Sequence, residues 1–295
     1  MRFHLPASLA LLVGLLGTAA AQDDAAAAKQ KAAVTANLSK AGLKKLATAE
    51  TKHVQVISSL SEARAKALAE AAQKTFAFAH KALKLDEMLW PGKLTVVVLG
   101  DAREFSSYVR VVTQQRPDSK DWFTINVRGD VPTAAAMLEA GEKAKDAELG
   151  ATVSTVVAAA LLNKKAGTSP TTGVLPEWVQ LGFGKLMVAK AAGGAALADY
   201  RAKSKAAVVG TKSKPSPVRL ADVWGAKNKD SDLVAASVVE YMMYGVEGDK
   251  FFAFAAGFKP GETTATPTVE SAFEGVEWKM DAFELGWKVW ISKQK

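Results

Sequence analysis

Leu94 to Leu99 reads LTVVVL, a run of strand length with one polar residue and no charge. Side chains alternate between the two faces of a strand, so a strand that is apolar throughout needs cover on both faces. The run is therefore expected to be the central strand of a sheet with helices packed on it. Neighbouring segments agree. His53 to Ile57 (HVQVI) sets Val54 and Val56 two residues apart, a strand alternation. Ser61 stands as an N-cap before EARAKALAEAAQKTFAFAHKAL, in which Leu68, Ala72, Phe76, Ala79 and Leu83 recur at helical spacing. After the central run, Gly100-Asp101 turns the chain into a shorter helix, AREFSSYVRVV. Trp122 to Val127 (WFTINV) alternates again and reads as an edge strand, in which Phe123, Thr124, Ile125, Asn126 and Val127 are positions that can accept an extended peptide.

The 295 residues, 49% of them hydrophobic, suffice for a substantial core. The first residues read as an address: Arg2 is a basic n-region, Leu5 to Gly17 an apolar h-region, and Ala19-Ala20-Ala21 a cleavage site. A signal peptide over residues 1–21 implies export to the periplasm or beyond. The apolar stretch is shorter than the ~20 residues of a spanning helix, which makes an uncleaved anchor the weaker alternative. The chain contains no Cys, so neither disulfides nor a lipid-acceptor thiol are available. Residues 22–50 are Ala/Lys-rich, and Gln22 to Ala36 lacks a large apolar stripe; a tail or marginal helix is expected there. The main domain is expected over 51–295, with a sheet-rich part over 51–130 and a helical part over 131–295. The net charge of +8 favours acidic partners such as anionic polymers or envelope surfaces. Its densest stretches, Lys29 to Lys45 and Arg201 to Arg219, are not interleaved with aromatics, so they carry no specific nucleic-acid signal and read as solvated linker and loop.

Two later segments bear on chemistry. Thr152 to Leu162 (TVSTVVAAALL) is an uncharged helical run, and Leu175 to Met187 (LPEWVQLGFGKLM) follows it after a polar loop. The second resembles the LP-x-W-x-x-E-G-x-A helix start of the peptidase-MA-like gluzincin zinc metallopeptidases. In order of elements the resemblance runs from about Lys52 to Trp290, and Leu220 to Gly245 is similar to the family's later helix. It implies an α+β, zincin-like fold in which an N-terminal mixed sheet with helices precedes a mostly helical C-terminal half. In that family the Glu of the helix start is the third zinc ligand and the preceding helix carries H-E-x-x-H. The matching positions here are Leu181 and Thr155-Val156-Val157-Ala158-Ala159. Thr155, Val156, Ala159 and Leu181 thus stand where ligands and base would be. The resemblance implies a degenerate, catalytically inactive member: no zinc, no other cofactor, and a binding or structural role toward an extended peptide or envelope component. In active relatives the edge strand holds the substrate backbone.

The inventory of donors points the same way. Catalytic zinc takes three protein ligands and keeps one position open for water. The chain has three His, of which His4 lies in the expected signal peptide, while His53 and His80 read as unrelated surface or half-buried residues. No two stand at i and i+4, the spacing that puts two ligands on one helix face. Glu177 complements the N-terminal dipole of its helix, Pro176 suits the first turn and Trp178 anchors it. Gly182 and Gly184 form a G-x-G without the third glycine or preceding strand of a dinucleotide site. Asn228-x-Asp230-x-Asp232 lacks the Gly and Glu of a calcium loop and reads as an exposed loop with solvated carboxylates, and Glu139 with Glu142 sits in a charged helix where nothing marks a general acid and base. Met280, Phe283, Trp287 and Trp290 form one stripe of a closing helix, expected to be core. Two other classes stay open. One is a hydrolase of unrecognised chemistry, marked by perturbed carboxylates in a cleft with Tyr241 or Tyr244. The other is a basic envelope-surface protein, marked by salt-sensitive binding of anionic polymer.

Overall fold

The computed structural model describes residues 10–86, 89–118, 120–127, 129–138, 143–168, 173–211, 214–215, 218–224, 231–259 and 266–294, with backbone alone for 10–24, 211 and 214–215. The protein is α+β. After α1 (Ala10–Lys40) come β1 (Ala47–Glu50), β2 (Val54–Ser58), α2 (Glu62–Ala82), β3 (Leu94–Leu99), α3 (Ala102–Thr113), β4 (Phe123–Asn126) and β5 (Thr133–Met137). The five strands form one mixed sheet in the order β1-β2-β3-β5-β4. Strands β2, β3 and β5 run parallel, and the two edges, β1 and β4, are antiparallel to their neighbours.

β3 is the central strand, buried along its whole length, as its apolar run predicts. Val96 and Val98 join Val54, Val56, Ala134 and Ala136 in the larger core, under α2 and α4 (Asp146–Ala166). Val97 and Leu99 join Ile57 and Ala135 in a second core, under Val34 of α1 and Phe105, Tyr108 and Val109 of α3. Both flanking helices are capped: Ser61 Oγ, as expected, accepts from the Arg64 N–H at 3.4 Å, and Asp101, at the expected turn, accepts from those of Arg103 and Glu104 at 2.8 and 3.1 Å.

The helical half continues with α5 (Glu177–Ala192), α6 (Gly194–Val209), a two-stranded hairpin of β6 (Gly210–Thr211) and β7 (Lys214–Pro215), α7 (Ala221–Trp224), α8 (Ser231–Tyr244), α9 (Phe251–Ala256), α10 (Val269–Gly275) and α11 (Met280–Lys293). The buried stripe of α11 is Phe283, Trp287 and Ile291, at i, i+4 and i+8, whereas Met280 and Trp290 flank it half-buried. Trp287 Nε1 donates to Ser237 Oγ at 3.1 Å, fastening α11 to α8.

Two expectations are corrected. Of the tail or marginal helix expected over Gln22 to Ala36 the structure has the helix, as the end of α1, but the basic Lys29 to Lys45 segment, expected as solvated linker, is mostly helix too, and β1 follows it. Gln30 and Val34 are buried. Gln30 does the work of a strand peptide: its Nε2 donates to the Lys93 carbonyl at 2.5 Å and its Oε1 accepts from the Lys93 N–H at 3.0 Å. The sheet also outruns the 51–130 boundary on both sides, through β1 and β5. Among the described residues no helix is long and apolar enough to cross a membrane.

Candidate functional site

α4 and α5 lie side by side and antiparallel, because Thr155 of α4 meets Gly184 of α5 while Asn163 of α4 meets Gln180. The approach is close enough to demand glycine: a Cβ on Gly184 would stand 2.5 Å from the Thr155 carbonyl oxygen. On the other side of α5, a Cβ on Gly182 would stand 2.8 Å from the Ala235 carbonyl oxygen of α8. The G-x-G of the sequence thus lets α5 slot between two helices.

The positions matched to the zinc ligands lie within this packing. Val156 and Ala159 are fully buried and Leu181 nearly so. The Thr155 hydroxyl donates to the Ala151 carbonyl at 2.8 Å. An apolar, backbone-bonded set of this kind does not fit zinc, which takes imidazole, carboxylate or thiolate donors. Among the described residues no group of three or more His, Asp or Glu side chains is placed to hold a metal ion.

Beside the helix pair lies a cleft of about 710 Å³, walled by Trp122, Leu149, Thr155, Lys185, Val188 and Asp232 among others. Of Thr155, Val156, Ala159 and Leu181, Thr155 alone lines it. Lys185 on α5 forms an ion pair with Asp232 on α8 at the wall. A second cavity, about 470 Å³, continues toward α2 and shares Leu149, Ala151, Val188 and Ala192 with the first. Glu177 stands beside the cleft as the first residue of α5, with Pro176 one place earlier, at the N-cap rather than in the first turn. Surrounding protein raises the Glu177 carboxyl above its ordinary range, and Asp121 and Asp232 add to that, against a hydrogen bond from Trp122.

β4 runs along the open edge of the sheet. The Met137 N–H donates to the Trp122 carbonyl at 2.7 Å, which makes 122 and 137 a hydrogen-bonded pair. By the antiparallel alternation the next such pairs are Thr124 with Ala135 and Asn126 with Thr133. The backbone groups of Phe123 and Ile125 therefore point away from the sheet. Val127 lies just past the strand, where its carbonyl accepts from Trp90 Nε1 at 3.3 Å.

Several features escaped the sequence reading. A buried network joins α4 to α5: Asn163 Nδ2 donates to Gln180 Oε1, Thr168 Oγ1 donates to Asn163 Oδ1, and Gln180 Nε2 donates to the Leu175 carbonyl. Glu240, almost wholly buried, is held by Arg201 through Nε at 3.0 Å and Nη2 at 2.7 Å. Tyr244 lies under Lys190, 4.2 Å from ring centroid to Nζ, and Tyr241 packs on Phe283 and Trp290. Burial raises both phenols, so they are neutral at physiological pH. His53 and His80, read as unrelated, both stack on Phe76. Glu139, Glu142, Asn228 and Asp230 lie outside the described residues. The chain matches no protein-family model, and no curated protein is significantly similar to it.

Proposed function

We propose that this chain is an exported, metallopeptidase-like protein without catalysis, a zincin-like frame that holds an extended peptide along β4 and over the cleft. The observation that carries the reading is the position of Thr155. It stands at a position that the resemblance matches to a family ligand and lines a cleft of about 710 Å³, while Val156, Ala159 and Leu181 are buried. The order of the sheet, with its antiparallel edge strand next to that cleft through Trp122, supports the same frame. Phe123 and Ile125 offer the outward N–H and C=O groups that strand addition uses, and the apolar part of the cleft wall, Trp122, Leu149 and Val188, offers surface for alternate side chains.

The test is to pan a randomised heptapeptide library against the full chain and follow amide exchange on binding. Bound peptide is expected to protect the Phe123 and Ile125 amides. Phe123→Pro removes one outward donor and leaves the ladder to β5 intact, and should lower affinity at least about tenfold. Peptide binding that leaves these amides unprotected and tolerates Phe123→Pro would overturn the edge-strand assignment.

The raised carboxyl of Glu177 favours a second reading, a hydrolase of unrecognised chemistry. It is tested by assaying peptide hydrolysis with Glu177→Gln as the control. Turnover lost in that variant would replace the binding reading.

A further inference from the structure

On the flank of the molecule formed by α2 and the segment leading into β3, a cavity of about 540 Å³ is lined by Lys52, His53, Gln73, Phe76, His80 and Trp90 among others. Its volume falls in the range of small-molecule pockets, roughly 300–1,000 Å³. The side chains divide by chemistry. Phe76, Leu89 and Trp90 supply an apolar wall. The His53 ring stacks on Phe76 at 4.8 Å and 4°, and the His80 ring at 5.9 Å and 20°, so one phenyl ring brings both imidazoles to the same cavity.

The polar groups are donors. Gln73 Oε1 is already taken by the His53 backbone N–H at 2.9 Å, which leaves the Gln73 amide N–H groups to donate. His80 Nε2 must carry a proton, because it bonds to the Asp86 carbonyl oxygen at 2.8 Å. Protonation at Nδ1 then makes His80 a cation with a second donor. Lys52 is an ammonium on the rim. Among the described lining residues there is no carboxylate, and Glu50 on the adjoining strand is engaged by Lys93 at 2.8 Å.

We propose that this cavity binds a small organic anion, a carboxylate or phosphate head on a flat apolar body, with the head between His53, His80 and Lys52 and the body against Phe76, Leu89 and Trp90. The charges acting on His53 are those of Lys52 beside it and His80 across the cavity. Burial and, after it, these two basic side chains hold the imidazole below its ordinary range. An anion reverses that balance and is bound with uptake of protons. Binding therefore strengthens as pH falls through the histidine range, about tenfold for each unit by which the anion raises an imidazole.

The probes are 1-naphthoate, 1-naphthyl phosphate and the neutral 1-naphthamide. They are titrated into the full chain while imidazole Hε1 signals are followed by NMR, a simple spectrum with three His in the sequence. At pH 5.5 either anion is expected to move the His53 and His80 signals together and to raise the His53 titration midpoint. The head group that binds more tightly is then the assigned one. Affinity should fall at least about tenfold by pH 8, and the amide should bind at least about tenfold more weakly than the anions at pH 5.5. His53→Gln and His80→Gln should each flatten the pH dependence. Lys52→Gln, an exposed change that spares the packing, should weaken both anions. Equal binding of amide and anions, anions that leave both histidine signals unmoved, or wild-type affinity in all three variants would overturn the proposal.

Discussion

Asn163 Nδ2 on α4 donates to Gln180 Oε1 on α5 across 2.8 Å, in a place where both residues are buried. The second Asn163 Nδ2–H reaches the Ala159 carbonyl at 2.9 Å, one turn back on its own helix. Through Gln180 Nε2 and the Leu175 carbonyl, the bond also fixes the loop that starts α5. The register of the two helices that frame the cleft thus rests on one amide pair rather than on apolar packing alone.

Replacing either partner leaves the other buried without it. Asn163→Leu is expected to lower stability by about 2 kcal/mol, the range for a buried polar group left unpaired. The double change Asn163→Leu with Gln180→Leu should cost less than the sum of the two single changes, because each single variant already loses the shared bond. Urea unfolding of the four proteins reads this directly, and strict additivity would show that the pair is not coupled.

Gly184→Ala should destabilise by about 2 kcal/mol or more, since its Cβ would stand 2.5 Å from the Thr155 carbonyl oxygen and the helices must part. Gly194→Ala is the matched control at the start of α6, where a Cβ meets nothing within 4 Å. It should be neutral or slightly stabilising, as helix propensity favours alanine. Equal thermal midpoints for the two variants would refute the close approach of α4 and α5.

Glu177→Gln carries a prediction in pH. The folded state raises the Glu177 carboxyl above its ordinary 4.5, so folding favours the protonated form. Below 4.5 the side chain is protonated in both states and contributes no difference. As pH rises through the folded value, ionisation of a carboxyl partly desolvated by the surrounding protein, with Asp121 and Asp232 beside it, destabilises the native protein. The glutamine variant should therefore gain stability over the wild type near pH 7, and the gain should vanish near pH 4. A gain that persists unchanged at low pH would assign it to packing instead.

Purified without a histidine tag, offered excess zinc and dialysed, the chain is expected to retain far less than one zinc per molecule, measured by elemental analysis. One tightly held zinc per chain would overturn the degenerate-site reading and make His53 and His80 the first residues to replace.

Local pattern determined a good part of this protein. The almost uninterrupted apolar run LTVVVL marked β3 as central, Ser61 and Asp101 marked two helix starts, and WFTINV marked the edge strand. That Thr155, Val156, Ala159 and Leu181 carry no imidazole, carboxylate or thiolate was likewise readable, because the identity of a side chain limits its chemistry wherever it is placed. Tertiary structure decided the rest. β5 reads TAAAM, a helix-favouring composition, and becomes a strand because the slot between β3 and β4 offers a hydrogen-bonded ladder on both sides. Its alanines fill two cores at once, Ala134 and Ala136 on one face and Ala135 on the other. Gln30 looked like part of a solvated tail until the Lys93 peptide gave its amide both partners. His53 and His80 belong to different elements, and only the packing of α2 against the sheet brings both rings to Phe76. Periodicity and capping act within a few residues of the chain, so they can be read from it. Pairing, close approach and a shared cavity are set between distant segments, and they exist only once the fold has closed.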